Sequence, residues 1–276
     1  MKHFNKVFSL VLIFFMISFT ACSGTTVNSV KSIHFPTKSF VKFESKLYRL
    51  KCTPKDPEDM NSRCREQIDG ATGSGSVVGE SVDGVYILTA GHMCDRKGDM
   101  LRFNEMLGRE VEEPIEEKYY VHDIDLFQYN VKVLEFNKQD DVCLAFAWGL
   151  FAPSMKLSKQ APAIGEKVYN MAAPAGYMSP KAVPLFEGRY FGQGTDMDLY
   201  TVPAVGGSSG SPIFNKDSEL IGMIYARHAH FHHITISPKY KRLMQFVLEG
   251  IKKDVAVRNR SHSVPRLKGL KIKISD

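Results

Sequence analysis

The sequence predicts a mainly β protein, and three observations carry that prediction. Short runs rich in Val, Ile, Tyr and Phe, such as Tyr86-Ile87-Leu88-Thr89 and Leu220-Ile221-Gly222-Met223-Ile224, are interrupted by Gly, Pro, Asn and Asp, the chemistry of strands and turns. No strand-then-helix period repeats, which disfavours a parallel α/β sheet. One helical pattern stands near the end, Lys239 to Leu248, with Tyr240, Leu243, Met244 and Val247 on one side.

The chain opens on Lys2 and Lys6 ahead of an apolar run from Val7 to Phe19. The run is short for a membrane span and sits where a signal peptide carries its apolar segment, so residues 1–22 read as an export signal. Phe19-Thr20-Ala21-Cys22 resembles a bacterial lipobox, with Phe19 where leucine is usual. The resemblance implies cleavage and lipidation at Cys22; ordinary secretion with cleavage near Ala21 or Ser23 is the competing reading. Residues 23–37 are small and polar and read as a tether. About 250 residues remain past the signal, enough for one large core or two small ones.

Phe40 to Leu50 alternates as a strand does. Cys52 and Cys64 bracket a loop poor in apolar residues. Outside the cytoplasm that pair could close a disulfide, although the four cysteines Cys52, Cys64, Cys94 and Cys143 allow three pairings. Metal binding is weakly indicated, because no Cys-x-x-Cys or compact Cys/His spacing accompanies them. Val82-Asp83-Gly84 reads as a hairpin turn that delivers the strand Val85 to Thr89, and after it His92, to the surface. Glu105 to Glu117 is rich in acids around Pro114 and reads as a solvated loop.

Gly206-Gly207-Ser208-Ser209-Gly210-Ser211-Pro212 is the stretch around which the rest is organised. A serine is a poor nucleophile at neutral pH and needs a base beside it, with amide donors where negative charge develops. Glycines on either side permit the sharp turn that would bring the amides of Gly207 and Ser209 together. His92, at the end of an apolar strand, is a side chain suited to moving a proton. Asp140-Asp141-Val142-Cys143-Leu144 leads an acid into another apolar strand, and Asp123-Ile124-Asp125-Leu126 has the same shape. If the Asp140 segment is extended, Asp140 and Asp141 face opposite ways. Taken alone, the Gly-Ser stretch reads first as a loop and His92 as a buried histidine at a strand end.

Thr89-Ala90-Gly91-His92, Asp141-Val142-Cys143-Leu144 and Gly207-Ser208-Ser209-Gly210-Ser211-Pro212, in that order, resemble the three motifs of the trypsin-like (chymotrypsin-fold) serine proteases. The bacterial branch with the glutamyl endopeptidases and the high-temperature-requirement periplasmic proteases is the most similar. Gly165-Glu166-Lys167-Val168 and Ala173-Pro174-Ala175-Gly176 resemble a strand and turn of the latter, and Ile234-Thr235-Ile236-Ser237-Pro238 their last strand. The resemblance covers Thr72 to Leu243. It implies two six-stranded antiparallel β-barrels with a C-terminal helix, a protease domain over residues 38–249, and a basic tail over 250–276. It also implies Ser209 as nucleophile, His92 as base, Asp141 rather than Asp123 as the orienting acid, and Gly207 and Ser209 as oxyanion donors. Animal members place a disulfide cysteine directly after the histidine, whereas Cys94 stands two residues after His92; a Cys94–Cys143 bridge and two free thiols are the alternatives. Ser208 stands where relatives have Asp or Asn, which argues against activation by a buried salt bridge from a new N-terminus.

The resemblance places the specificity pocket at Pro203, Ala204, Ile224, Tyr225, Ala226 and Arg227. Pro203 occupies the place of the trypsin-type pocket acid, six residues before the nucleophile, so a Lys or Arg preference is not expected. Met223 and Ile224 follow Gly222 where glutamyl endopeptidases carry a histidine, which argues against strict glutamate preference. A small or medium apolar side chain before the cut is the expectation, with Arg227 able to recruit an acid instead.

Alternation would place His228, His230 and His232 on one strand face, with His233 beside them, but no carboxylate or cysteine at ligand spacing accompanies them. A hairpin rim is the expectation, with no metal and no cofactor. The tail is rich in Lys and Arg, from Lys252 to Lys273, and reads as solubilising or as a contact for anionic headgroups. A PDZ-like extension of the kind the high-temperature-requirement proteases carry is not expected. Nucleic acid is not an expected partner, since no recognition motif or aromatic interleaving is present. The sequence therefore points to an exported, membrane-tethered serine endopeptidase acting on protein or peptide substrates. A noncatalytic envelope lipoprotein on the same fold is the alternative.

Overall fold

The computed structural model describes residues 34–50, 65–111, 114–260 and 270–275. Cys22, Cys52 and Cys64 lie outside them. Six strands form a closed antiparallel barrel: β1 (Phe40–Leu50), β2 (Arg65–Glu80), β3 (Gly84–Ala90), β4 (Ile115–His122), β5 (Gln128–Asn137) and β6 (Val142–Trp148), in the order β1-β2-β3-β6-β5-β4. Closure comes from β1 pairing with β4, Phe43 opposite Val121. Every residue of β3 is buried, because it is paired on one edge with β2 and on the other with β6. The predicted hairpin turn is present, with the Ser81 amide donating to Gly84 O at 2.9 Å.

Eight further strands make a second sheet: β7 (Lys156–Leu157), β8 (Lys167–Met171), β9 (Leu185–Gln193), β10 (Met197–Tyr200), β11 (Pro212–Phe214), β12 (Glu219–Met223), β13 (Ala226–Arg227) and β14 (Thr235–Pro238). Their order is β13-β14-β10-β9-β8-β11-β12-β7. The two-residue β7 and β13 stand at the ends, with the six longer strands between them, consistent with the expected double-barrel plan. Val168, Tyr190, Tyr200, Val202, Ile213 and Ile221 form its core. Asp198 is buried among them, accepting from Tyr190 Oη at 3.0 Å and from the Tyr240 amide at 2.8 Å; burial pushes its carboxyl pKa up.

Several sequence expectations are corrected. Within the acid-rich segment, β4 begins at Ile115, and Glu117 is no solvated loop residue. Its carboxylate accepts from Ser45 Oγ and from the amides of Arg96 and Lys97, and so caps helix α1 (Arg96–Met106), which the sequence did not suggest. The last helix, α2, runs from Tyr240 to Arg260, past the expected domain boundary at 249. Gly250 looks like a helix terminator, but here its missing side chain admits Leu144, whose Cδ2 would lie 2.7 Å from a Cβ. Arg258 is buried, with its guanidinium 4.0 Å over the Phe146 ring and paired with Asp254 at 2.8 Å. Lys271 bridges Glu80, and Ile274 bridges Leu157. Residues 250–260 and 270–275 are therefore part of the fold. So is the end of the expected tether: Phe35 packs edge-on against Tyr169 at 5.4 Å.

Candidate active site

His92 and Asp141 meet directly. His92 lies in the 3-10 turn Gly91–Cys94 after β3, and Asp141 in the turn before β6, at φ +50°. Ala90 pairs with Val142, so both turns leave the same end of the barrel. Asp141 Oδ2 is 2.8 Å from imidazole Nδ1, and Oδ1 accepts the His92 backbone N–H at 2.7 Å. A carboxylate on Nδ1 favours the tautomer with its proton there and leaves Nε2 as the basic nitrogen. A disulfide joins Cys94 to Cys143, each two residues beyond its partner in this pair.

The competing acids are occupied elsewhere. Asp123 accepts from the amides of Asp125 and Phe127 and from Tyr129 Oη, closing its own turn. Asp140 pairs with Arg242 at 2.8 Å. It diverges from Asp141 because the chain turns there at positive φ, and not by strand alternation.

Ser209 reaches the same cleft on the loop before β11. Gly207 and Gly210 have φ of +91° and +86°, and a Cβ would stand 2.4 Å from Ala173 O in the first case and 2.0 Å from Ser74 O in the second. Both positions therefore require glycine. The Gly206 carbonyl accepts from the Ala175 amide at 2.6 Å. A planar trans peptide sends the next N–H the opposite way, so the Gly207 N–H points away from the Ala173–Gly176 segment. Among the described residues neither the Gly207 nor the Ser209 amide has an acceptor within the protein. The site thus holds an imidazole oriented by a carboxylate, a serine, and two amide donors without protein acceptors, the parts that nucleophilic acyl transfer uses.

His92 and Ser209 line one cleft of about 380 Å³ together with Ala204, Val205, Gly206, Ser208, Ile224, Tyr225, Ala226 and Arg227. Pro203 is not among these residues; Val202 and Ala204 on either side of it are buried and Pro203 is half-buried. Val205 and Gly206, which the sequence reading omitted, take its place. Tyr225 also lines an adjoining cavity of about 300 Å³ with Asp95, Asp99, Lys138 and Asp141. Burial, then Asp141 and Asp140, push its phenol pKa up. Ser208 is buried, its hydroxyl accepting from the Val205 amide at 3.3 Å. A polar cavity of about 320 Å³ near Ser158 and Ser275 contains none of these groups.

His228, His230, His232 and His233 lie in the connection between β13 and β14, not along a strand, and all four are exposed. Among the described residues no group of three or more His, Cys, Asp or Glu is arranged to hold a metal ion.

A family model described as the trypsin-like peptidase domain matches residues 73–223. The chain belongs to that family. The matched span contains His92, Asp141 and Ser209. Among solved structures, a serine endoprotease from Yersinia pestis has the same fold at 14% identity and a TM-score of 0.54 over 79% of this chain. This trypsin-like peptidase chain spans 65% of that protein's length. No curated protein sequence matches.

Proposed function

We propose that this protein is an exported serine endopeptidase. The observation that carries the reading is the doubly held His92–Asp141 pair opening onto the same cleft as Ser209. In this reading Ser209 Oγ attacks the scissile carbonyl, and His92 Nε2 takes its proton and later delivers it to the leaving amine. Asp141 stabilises the imidazolium that forms between those steps. The developing oxyanion is received by the amides of Gly207 and Ser209, a contribution of about 100- to 1000-fold in turnover per donor. Water then repeats the sequence on the acyl-enzyme and restores Ser209.

The cleft favours an apolar side chain before the cut. Ala204 and Ile224 supply apolar surface, and apolar burial contributes roughly 25 cal/mol per Å². A Lys or Arg there would have no carboxylate to meet among the lining residues and would be desolvated unpaired. Export is supported by the apolar leader and by the Cys94–Cys143 bridge, since such bridges persist in oxidising compartments. Lipidation at Cys22 rests on the lipobox resemblance and would hold the enzyme at a membrane; among the described residues no helix is long and apolar enough to cross one.

Purified protein is expected to cleave casein and Ser209→Ala to lose that cleavage while unfolding at the same temperature. Well-folded wild type without peptidase activity would point to a binding lipoprotein on this fold. Radiolabelled palmitate is expected to enter the wild type and not Cys22→Ser, which should leave the membrane fraction; an unlabelled, soluble wild type leaves secretion alone.

A further inference from the structure

Ser74 lies in β2, in a Gly-Ser run that could pass for generic small-residue packing, and is fully buried. All of its polar groups are engaged, and on three different segments. Its amide donates to Ser209 O at 2.7 Å and its carbonyl accepts from Thr89 Oγ1 at 2.8 Å. Its hydroxyl donates to Gly207 O at 2.8 Å and accepts from the Ala173 amide at 2.9 Å. One oxygen of the first barrel therefore ties down both the nucleophile loop and the Ala173–Gly176 segment.

Two consecutive peptide planes of the nucleophile loop are held from outside it. The Gly206–Gly207 plane is set by Ala175 on the Gly206 carbonyl, and the Gly207–Ser208 plane by the Ser74 hydroxyl on the Gly207 carbonyl. The Ala175 contact itself depends on the Ala173 segment, which the same hydroxyl anchors. Gly207 has no Cβ to restrict rotation of either plane. Without these contacts nothing fixes the direction of its N–H, which the Gly206 carbonyl turns away from the Ala173–Gly176 segment.

We infer that Ser74 is a positioning residue: its hydroxyl keeps the Gly207 amide pointed at the developing oxyanion. The inference rests on the serine-peptidase reading above. Removing the hydroxyl leaves the Gly207 carbonyl and the Ala173 amide without their partner in a buried place. The backbone bonds to Ser209 and Thr89 do not involve the side chain and persist, so the nucleophile keeps its place while the donor drifts.

Saturation kinetics of a fluorophosphonate probe separate the possibilities, because phosphonylation of Ser209 also develops negative charge on an oxygen. For Ser74→Ala the limiting inactivation rate is expected to fall about 10- to 100-fold, short of or equal to the loss of one donor. The half-saturating probe concentration, the pH midpoint of inactivation and the probe-titratable fraction should be unchanged, since the His92–Asp141 pair is untouched. A variant that merely lost folded molecules would lower the titratable fraction instead and overturn the inference. Labelling at the wild-type rate also overturns it. Ser74→Cys, close in size and a weaker donor, should fall between wild type and Ser74→Ala; if Ser74→Ala does not fold, a Ser74→Cys rate equal to wild type overturns the inference. A folded wild type that does not label removes the underlying reading, and the positioning role with it.

Discussion

Removing the Cys94–Cys143 bridge should cost a large part of the first barrel's stability. The two cysteines are 49 residues apart, and the loop they close restricts the unfolded chain by about 4 kcal/mol at 25 °C in the chain-entropy treatment. Both side chains are buried, at 3% and 0% exposure, so replacement also forfeits packing. In a domain of this size each kcal/mol moves the midpoint by roughly 2–4 °C, and Cys94→Ala/Cys143→Ala should therefore melt about 8–16 °C below the parent. Scanning calorimetry with the other cysteines left in place reads this directly. Because each cysteine stands two residues beyond His92 or Asp141, the variant should also lose activity below its melting temperature. An unchanged midpoint, together with alkylation of both thiols in parent protein secreted through an oxidising compartment, would refute the reasoning.

Asp141→Asn should preserve the fold while lowering turnover about 10⁴-fold, because an amide no longer selects the productive imidazole tautomer; near-wild-type turnover would return the orienting role to another acid. Glu44 lies among His122, Lys42 and Lys46 at 3.0–3.3 Å; the His122 contact, with the two lysines and against burial, holds its carboxyl well below 4.5. A depressed carboxylate stabilises the fold above its unfolded value and loses that contribution as pH falls below it. Glu44→Gln should thus be less stable by about 1–3 kcal/mol at neutral pH, with the gap narrowing as pH falls below about 4.5; a gap that does not change in acid would contradict this. A peptide library read by mass spectrometry should show cuts after Val, Ala or Leu. Dominant cuts after basic residues would sink the pocket assignment, and cuts after Glu or Asp that Arg227→Ala abolishes would place that guanidinium inside the pocket.

Some barrel strands are legible because their patterns are local: alternation alone bounds β1, and residue types mark the turn before Gly84, whereas β4 starts inside a segment whose acids read as a loop. Three short motifs in order single out His92, Asp141 and Ser209; the structure pairs the first two and puts His92 and Ser209 on one cleft. What escaped notice depends on distant contacts. Helix α1 buries none of its residues and its first amides are satisfied by Glu117 from a later strand, so neither an apolar stripe nor a local cap announced it. The extension of α2 past Leu248 rests on contacts with distant strands, such as Gly250 against Leu144 and Arg258 over Phe146. Strand alternation separates Asp140 from Asp141 only if their segment is extended, and the positive φ of Asp141 makes it a turn. Ser74 carried no signal beyond a Gly-Ser run, because its importance lies in which carbonyl it meets.

In the proposed function Ser209 is the nucleophile and His92 activates it. Mass spectrometry of the fluorophosphonate-treated protein, after proteolysis, tests it most directly. One adduct is expected on the peptide containing Ser209, forming more slowly as pH falls and absent from His92→Ala that remains folded. An adduct on any other residue, or an equally fast Ser209 adduct in His92→Ala, would contradict the account.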